Sequence, residues 1–431
     1  MKKNKQIIIS GFALFSMFFG SGNLIFPPTL GIQAGTEWWI SALGFLLTGV
    51  GFVMLGVLAT TKVGGEISGI GQRVGNNFSK LFSLLIILCI GPGLAIPRTA
   101  ATTSEVLQAS LAPSIPSILV NGIFFLLVIY FCLSESKVID ILGKYLTPAL
   151  LVTLTIIILR AILFPLGQPV DLQAHGVFGS SFKQGYQTMD CLAALMFTSI
   201  VIQGFRDIGY EGQALMTFTK KAAAIAGIGL SFIYGGFIYL GATISSFGWE
   251  DLSRVELLVK STNSMLGIVG MVLLSLAMTL ACLTTAIGLT VTCAEYFQEI
   301  SRNKLSYKFL VYLVSLVSFL LSLGGVEYII KVSGPILEAL YPVAIILILA
   351  ILFDRFIKKR STYIGLVFGA LVPVLSKFIA LFAHVDFYGQ LQKNLAENQG
   401  TFLWLVFALA FGLIFSFLPI KELDTSEESR I

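Results

Sequence analysis

The chain has 431 residues, of which 56% are hydrophobic and 12% charged. Soluble domains carry about 25% charged residues, and the mean hydropathy here is +0.89, so a soluble enzyme, a disordered chain and a secreted disulfide scaffold are excluded and most of the chain must have lipid as its solvent. The net charge of +5 is spread too thinly to mark a nucleic-acid partner, and the five cysteines sit in apolar stretches without metal or redox spacing.

A membrane-spanning helix needs about 20 apolar residues. That ruler predicts twelve spans, at 7–34, 39–60, 80–107, 117–134, 138–165, 186–205, 221–246, 265–294, 308–325, 328–353, 362–383 and 401–419. The longest connections are 61–79, 166–185, 206–220, 247–264 and 384–400. With the N-terminus inside, twenty of the 28 Lys and Arg residues lie on the inner side and six on the outer, with Arg98 and Lys377 at membrane depth. This bias predicts both termini in the cytoplasm. MKKNK and the apolar run after it resemble a signal peptide in outline. The run continues through Leu24-Ile25-Phe26 without an A-x-A site, and the charge bias needs the segment as a span.

The first span is interrupted at Gly20-Ser21-Gly22-Asn23, with Pro27-Pro28 one turn later. A helix broken in hydrocarbon exposes backbone groups that protein, water or a ligand must satisfy. N–H groups of the second half can then face an anion and carbonyls of the first a cation. Close helix packing through small residues is the alternative use of such glycines. In the third span, Arg98 follows Pro97, and Glu105 lies seven residues on, along the same helical face.

The sixth span opens on Gly185-Tyr186, as the first opens on Gly11-Phe12. Its Phe197-Thr198-Ser199 parallels Phe19-Gly20-Ser21, which locates a second break there. Asp190 stands one turn into this span. Two interrupted spans, each heading a block of five, predict an inverted repeat: 1–165, then 186–353, with 362–419 as two extra helices and 420–431 as a cytoplasmic tail. In the eighth span, Ala281 and the adjacent Thr284-Thr285 offer a carbonyl and two hydroxyls to a small hard cation, unless the hydroxyls bond back to their own helix. Glu338 lies in the tenth span and Lys377 in the eleventh. Arg98, Glu105, Asp190 and Glu338 are gate or buried-charge candidates, because ionisable groups at membrane depth mark function or pairing. No Walker, HExxH, SxxK or haem motif is present, so an enzyme is not expected.

Residues 11–35 (GFALFSMFFGSGNLIFPPTLGIQAG), with PRTAATTSEV (97–106), GYQTMDCLAALMF (185–197) and VSGPILEALYP (332–342), resemble the bacterial branched-chain amino acid:cation symporters of the amino acid–polyamine–cation superfamily. The resemblance implies an all-α polytopic membrane protein of the leucine-transporter fold, with 12 transmembrane helices and helices 1 and 6 broken. It implies import of leucine, isoleucine and valine with Na⁺ across the bacterial inner membrane. It gives Gly22 and Asn23 to the substrate and ion sites, carbonyls of Ser16, Phe18 and Phe19 to the end of the first half-helix, and the aromatic-Thr pair to Phe197-Thr198. Ala281, Thr284 and Thr285 match the ion-binding set of the eighth helix. The Asn expected in the seventh has no match among Ser231, Tyr234 and Thr243.

The mechanism expected from these residues is alternating access. The substrate carboxylate meets N–H groups of Gly20, Ser21, Gly22 and Asn23. Its ammonium meets carbonyls near Phe197, Thr198 and Ser199. Phe18, Phe19 and Phe197 wall the side chain. Na⁺ joins Ser16 and Phe19 to Ala281, Thr284 and Thr285. No cofactor is expected beyond the coupling ion, and no nucleic-acid partner. Proton coupling through Asp190 or Glu338, and a cation channel, are the alternative readings.

Overall fold

A computed structural model describes residues 2–133, 147–206, 209–383, 387–395 and 397–418. The expected tail at 420–431 and the start of the fifth span at 138–146 lie outside them. The described residues form an all-helical bundle: α1 Lys2–Phe18, α2 Gly22–Ala34, α3 Trp38–Leu46, α4 Phe52–Lys62, α5 Ile67–Gln72, α6 Asn76–Leu88, α7 Ala95–Ser110, α8 Ser117–Leu133, α9 Thr147–Leu163, α10 Val177–Tyr186, α11 Asp190–Arg206, α12 Gly212–Thr243, α13 Arg254–Ile300, α14 Tyr307–Ser322, α15 Val326–Leu352, α16 Arg360–Ala370, α17 Val372–Ala383, α18 Phe387–Lys393, α19 Glu397–Thr401 and α20 Leu403–Ser416. Helices dominate because, without water in the bilayer core, each backbone donor and acceptor must be paired within its own segment.

Among the described residues, five continuous helical stretches are long and apolar enough to cross a membrane, and seven if each of two bent pairs counts once. The bent pairs are Val177–Tyr186 with Asp190–Arg206 (42°) and Arg360–Ala370 with Val372–Ala380 (46°). Gln6–Phe18, Ser117–Leu133, Leu150–Leu163, Tyr307–Ser322 and Leu403–Ser416 are apolar but shorter.

Several expected connections contain helix. Segment 61–79 holds α5, 166–185 holds α10, and 384–400 holds α18 and α19. α13 already starts at Arg254, where the Ser253–Glu256 capping box satisfies the first N–H groups, and its regular geometry lapses at Gly267 (φ 59°). Glycine, serine and lysine in VFGSSFKQGY dilute the hydropathy of α10, which is why an apolar ruler began the sixth span at 186 and missed this half.

The site-bearing helices are held by close backbone contact. α12 packs on α1 and α2. A Cβ on Gly31 would stand 1.9 Å from the Ile238 carbonyl oxygen, and one on Gly241 2.0 Å from that of Pro28. Only hydrogen fits at either position, so α2 and α12 lie backbone to backbone, which dispersion rewards where lipid gives no hydrophobic drive.

Candidate functional site: two helix breaks around a buried cavity

Helix α1 stops at Phe18 and α2 starts at Gly22, leaving Phe19–Ser21 between them. The break falls where the sequence places three small residues in a row. A second break, Gln187–Met189, separates α10 from α11, and Met189 holds a positive φ of 63° that a β-carbon disfavours. The two breaks face each other across a cavity of about 30 Å³. Such a volume admits a water or two and no amino acid.

Cavity walls come from both breaks and from the helices beside them. Phe18, Gly20, Ser21, Gly22 and Asn23 contribute from the first. Thr188, Met189, Asp190 and Phe197 contribute from the second, and Arg98 and Thr285 from α7 and α13. The Phe18 and Phe197 rings meet at 6.2 Å between centroids. Gly22 is tightly enclosed: a Cβ would stand 2.8 Å from Arg98 Nη2 and 3.3 Å from Thr188 Cα, so the guanidinium and the break would have to shift. Gly20 is less crowded, with Thr285 at 3.4 Å.

Carbonyls at the ends of the half-helices are satisfied by side chains from elsewhere in the chain. Asn23 Nδ2 donates to the Phe18 carbonyl at 2.9 Å and to Asp190 Oδ2 at 2.8 Å. The Tyr234 hydroxyl donates to the same Asp190 oxygen at 3.0 Å and lies against the Asn23 amide. The Arg98 guanidinium donates to the Gln187 carbonyl and, at 3.4 Å, to that of Thr188. A cation at the C-terminal end of α10 also suits that helix's dipole. Arg98 and Asp190 are 3% and 4% exposed, so these bonds are what permit two buried charges. Arg98 Nε alone has no partner. Thr285 Oγ1 donates to the Phe19 carbonyl at 3.2 Å, joining α13 to the first break. Thr284 Oγ1 donates instead to the Ala281 carbonyl of its own helix at 2.9 Å.

The oxygens brought together here are the Phe19 carbonyl and the Thr285 hydroxyl, the kind of neutral hard donor a cation such as Na⁺ takes, while Thr284 and Ala281 bond to each other on α13. Ser16 lies half-buried two residues before the end of α1. No group of three or more His, Cys, Asp or Glu residues that could hold a metal occurs among the described residues.

Three expectations need correction. The second break lies at Gln187–Met189, about two helical turns before Phe197–Ser199. α11 runs unbroken through that triplet because the Thr198 hydroxyl bonds to the Ala194 carbonyl and the Ser199 hydroxyl to that of Met196. Neither Thr198 nor Ser199 lines the cavity, whereas Phe197 does. The Phe19 ring is no substrate wall: it stacks on Phe15 at 5.2 Å, and only its carbonyl faces the α13 hydroxyl. Glu105 and Glu338 stand away from the cavity. Glu105 accepts from the Val326 N–H at 2.7 Å, tying α7 to the start of α15, and Glu338 pairs with Lys377 at 3.1 Å. Sequence reasoning also missed Tyr234 and Thr188. Tyr234 falls in the seventh span, where an Asn was sought and a phenol stands instead.

The same architecture occurs in solved transporters. The fold is similar to that of Mhp1, a nucleobase-cation-symport-1 family transporter (13% identity, 94% of this chain and 91% of that chain, TM-score 0.58). It is similar to MhsT, solved in complex with L-phenylalanine (17% identity, 94% and 97%, TM-score 0.59), and to a Na⁺-coupled sialic acid symporter (14% identity, 97% and 91%, TM-score 0.58). At such identities the likeness defines the fold class alone, the leucine-transporter fold. Sequence relatives are more specific. The chain is 37% identical to the branched-chain amino acid permease BraB of Bacillus subtilis (85% of this chain, 84% of BraB). It is 37% identical to the branched-chain amino acid transport system 2 carrier protein of Pseudomonas aeruginosa (82% of each). The family described as branched-chain amino acid transport protein matches residues 3–422, and the chain belongs to that family, one of transporters and not of enzymes.

Proposed function

We propose that the protein imports leucine, isoleucine and valine together with Na⁺ by alternating access across the bacterial inner membrane. The observation that carries this reading is the pair of helix breaks facing one small cavity, tied to α13 through Thr285 and the Phe19 carbonyl. N–H groups at the start of α2 border the cavity and suit the substrate carboxylate. The Phe18 carbonyl at the end of α1, which has a lone pair beyond the one Asn23 uses, suits the ammonium. Ile90, Ala95, Phe18 and Phe197 supply an apolar wall for an aliphatic side chain. A cation among Phe19, Thr285, Thr284, Ala281 and Ser16 would fix α1 against α13, so ion binding would favour the state that accepts substrate.

Twelve crossings are the spanning arrangement we infer, with both termini cytoplasmic and helices 1 and 6 each split. The bent pair at α10–α11, the apolar half-helices α1 and α2, and the five shorter apolar helices support that number. The second repeat then opens at α10, upstream of residue 186. BraB and the Pseudomonas carrier, named for branched-chain amino acids, support the substrate class.

Asp190 supports a second reading, in which the coupling ion is a proton. A carboxylate bonded to Asn23 and Tyr234 at the cavity wall is placed to carry one. Radiolabelled leucine uptake into proteoliposomes under an imposed Na⁺, Li⁺ or pH gradient separates the two. Uptake driven by Na⁺ at equal pH supports the first, and uptake that follows the pH gradient without Na⁺ overturns it. Passive cation flux without leucine accumulation would make the protein a channel.

A further inference from the structure

The half-helix α10 is held on two sides, and the two grips differ in kind. On one side it lies against α3 and the residues that follow it. A Cβ on Gly44 would stand 2.4 Å from the Phe178 carbonyl oxygen, so the two backbones touch. The Thr48 hydroxyl donates to the Phe182 carbonyl at 2.9 Å, and the Ser41 and Ser181 hydroxyls meet at 2.7 Å. These contacts fasten α10 to α3 as one body.

On the other side stands the corner of the chain between α18 and α20, beyond both expected repeats. Helix α10 begins after Gly176, which has a φ of 64° and no side chain to cap the first turn. The cap comes from Asn398 instead. Its Oδ1 accepts from the Gly179 N–H at 2.8 Å, the donor that an N-cap side chain ordinarily takes. Phe402 meets the Phe182 ring edge-on at 4.7 Å and the Phe178 ring at 6.0 Å. The Trp404 indole N–H lies in hydrogen-bonding relation to the Tyr186 hydroxyl. Gly179, Phe182 and Tyr186 follow one another at i, i+3 and i+7, so one face of α10 is covered from its first turn to its last.

The central cavity of about 30 Å³ admits no amino acid, so a wall has to withdraw before a substrate enters. Helix α10 runs into that wall through Gln187–Met189. Against α3 it is held backbone to backbone, whereas the α19–α20 corner reaches it through one amide and two rings. The seam with that corner is therefore the one that can part. We infer that Asn398, Phe402 and Trp404 are positioning residues for occlusion: they strap α10 over the central cavity, and the strap releases α10 each time a substrate enters. The helices outside the repeat thereby take part in transport. In the orientation given by the charge bias the strap faces outside. The inference rests on the central substrate site proposed above.

The test is a reversible crosslink across the seam. A Cβ on Gly179 would stand 3.2 Å from the Thr401 Cβ, slightly inside the span of about 3.5–4.5 Å that a disulfide takes, so Gly179→Cys/Thr401→Cys needs only a small adjustment to form one. Leucine uptake by this variant in proteoliposomes is expected to stop on oxidation and to return on reduction. The wild type, whose five cysteines are buried and free, is expected to be indifferent to the oxidant. Uptake that continues with the crosslink formed overturns the inference. The release of bound leucine gives a second reading without a crosslink. Asn398→Ala is expected to speed release about fivefold at unchanged binding capacity, and Asn398→Asp, whose carboxylate accepts the same N–H, to restore the wild-type rate. A cap needed only for folding would lower the amount of binding protein and leave the release rate alone, and that result overturns the inference. Wild-type protein that neither binds nor takes up leucine overturns the central site and the strap together, whereas wild-type uptake with an ineffective crosslink overturns the strap alone.

Discussion

Asn23 Nδ2 donates to Asp190 Oδ2 at 2.8 Å, across 167 positions of chain, and this bond joins one helix break directly to the other. The same amide bonds to the Phe18 carbonyl, so one side chain holds the end of α1, the start of α2 and the start of α11 together. Motion at either break is therefore transmitted to the other through a single polar cluster, with Tyr234 as its third member.

Gly22 and Gly20 are expected to differ in tolerance. Gly22→Ala puts a Cβ 2.8 Å from the Arg98 guanidinium, whereas Gly20→Ala meets Thr285 at an ordinary 3.4 Å. Leucine affinity should fall at least about tenfold in the first, the equivalent of ~1.4 kcal/mol, and change little in the second. Equal affinities in binding assays on the two purified variants would contradict the geometry.

Thr285 and Thr284 should likewise separate. Val matches Thr in shape but lacks the hydroxyl. Thr285→Val removes the link to the Phe19 carbonyl, while Thr284→Val removes a bond inside α13. The Na⁺ concentration for half-maximal uptake should rise at least about tenfold for Thr285→Val, for a loss of ~1.4 kcal/mol of ligation, and less for Thr284→Val. Unaltered sodium dependence in both would leave the hydroxyls a purely structural task.

Asp190→Asn tests the ion. The amide oxygen still accepts from Asn23 and Tyr234, so the cluster persists without a titratable group. Na⁺-driven leucine uptake is expected to continue at a reduced rate. Complete loss of uptake in a variant that still binds leucine, together with pH-driven uptake by the wild type, would favour the proton.

Arg98 should act on closure. Its guanidinium reaches two carbonyls of the second break, a fork that a lysine ammonium reproduces poorly. Arg98→Lys is expected to speed the release of bound leucine at least about tenfold, the effect of ~1.4 kcal/mol on a dissociation barrier. Unchanged release kinetics would mean that Arg98 only neutralises Asp190.

Selectivity follows from the apolar wall. One methylene in such a pocket is worth about 1–3 kcal/mol, so leucine, isoleucine and valine should compete within roughly two orders of magnitude. Arg98 and Asp190 border the cavity but are engaged by Gln187, Thr188, Asn23 and Tyr234, leaving no ready partner for a charged side chain. Lysine or glutamate competing as well as valine would contradict this.

The sequence alone determined that the chain lives in lipid, that it is helical, and that its first helix must stop near Gly20–Asn23. These follow from local facts: apolar runs of sufficient length, and small residues where hydrocarbon punishes free backbone groups. It also singled out Thr285, Arg98 and Asp190, because hydroxyls and charges stand out against so apolar a background. The second break was misplaced because Gln187-Thr188-Met189 carries no glycine, and its non-helical backbone is imposed from outside, by Arg98 on the carbonyls of Gln187 and Thr188. Tyr234 was missed for the same reason: a phenol in an apolar helix looks like packing until Asn23 and Asp190 are brought to it. Glu105 and Glu338 looked equivalent to Asp190 by depth, yet one caps α15 and the other pairs with Lys377 on an exposed face, since only three-dimensional packing decides which partner a charge meets.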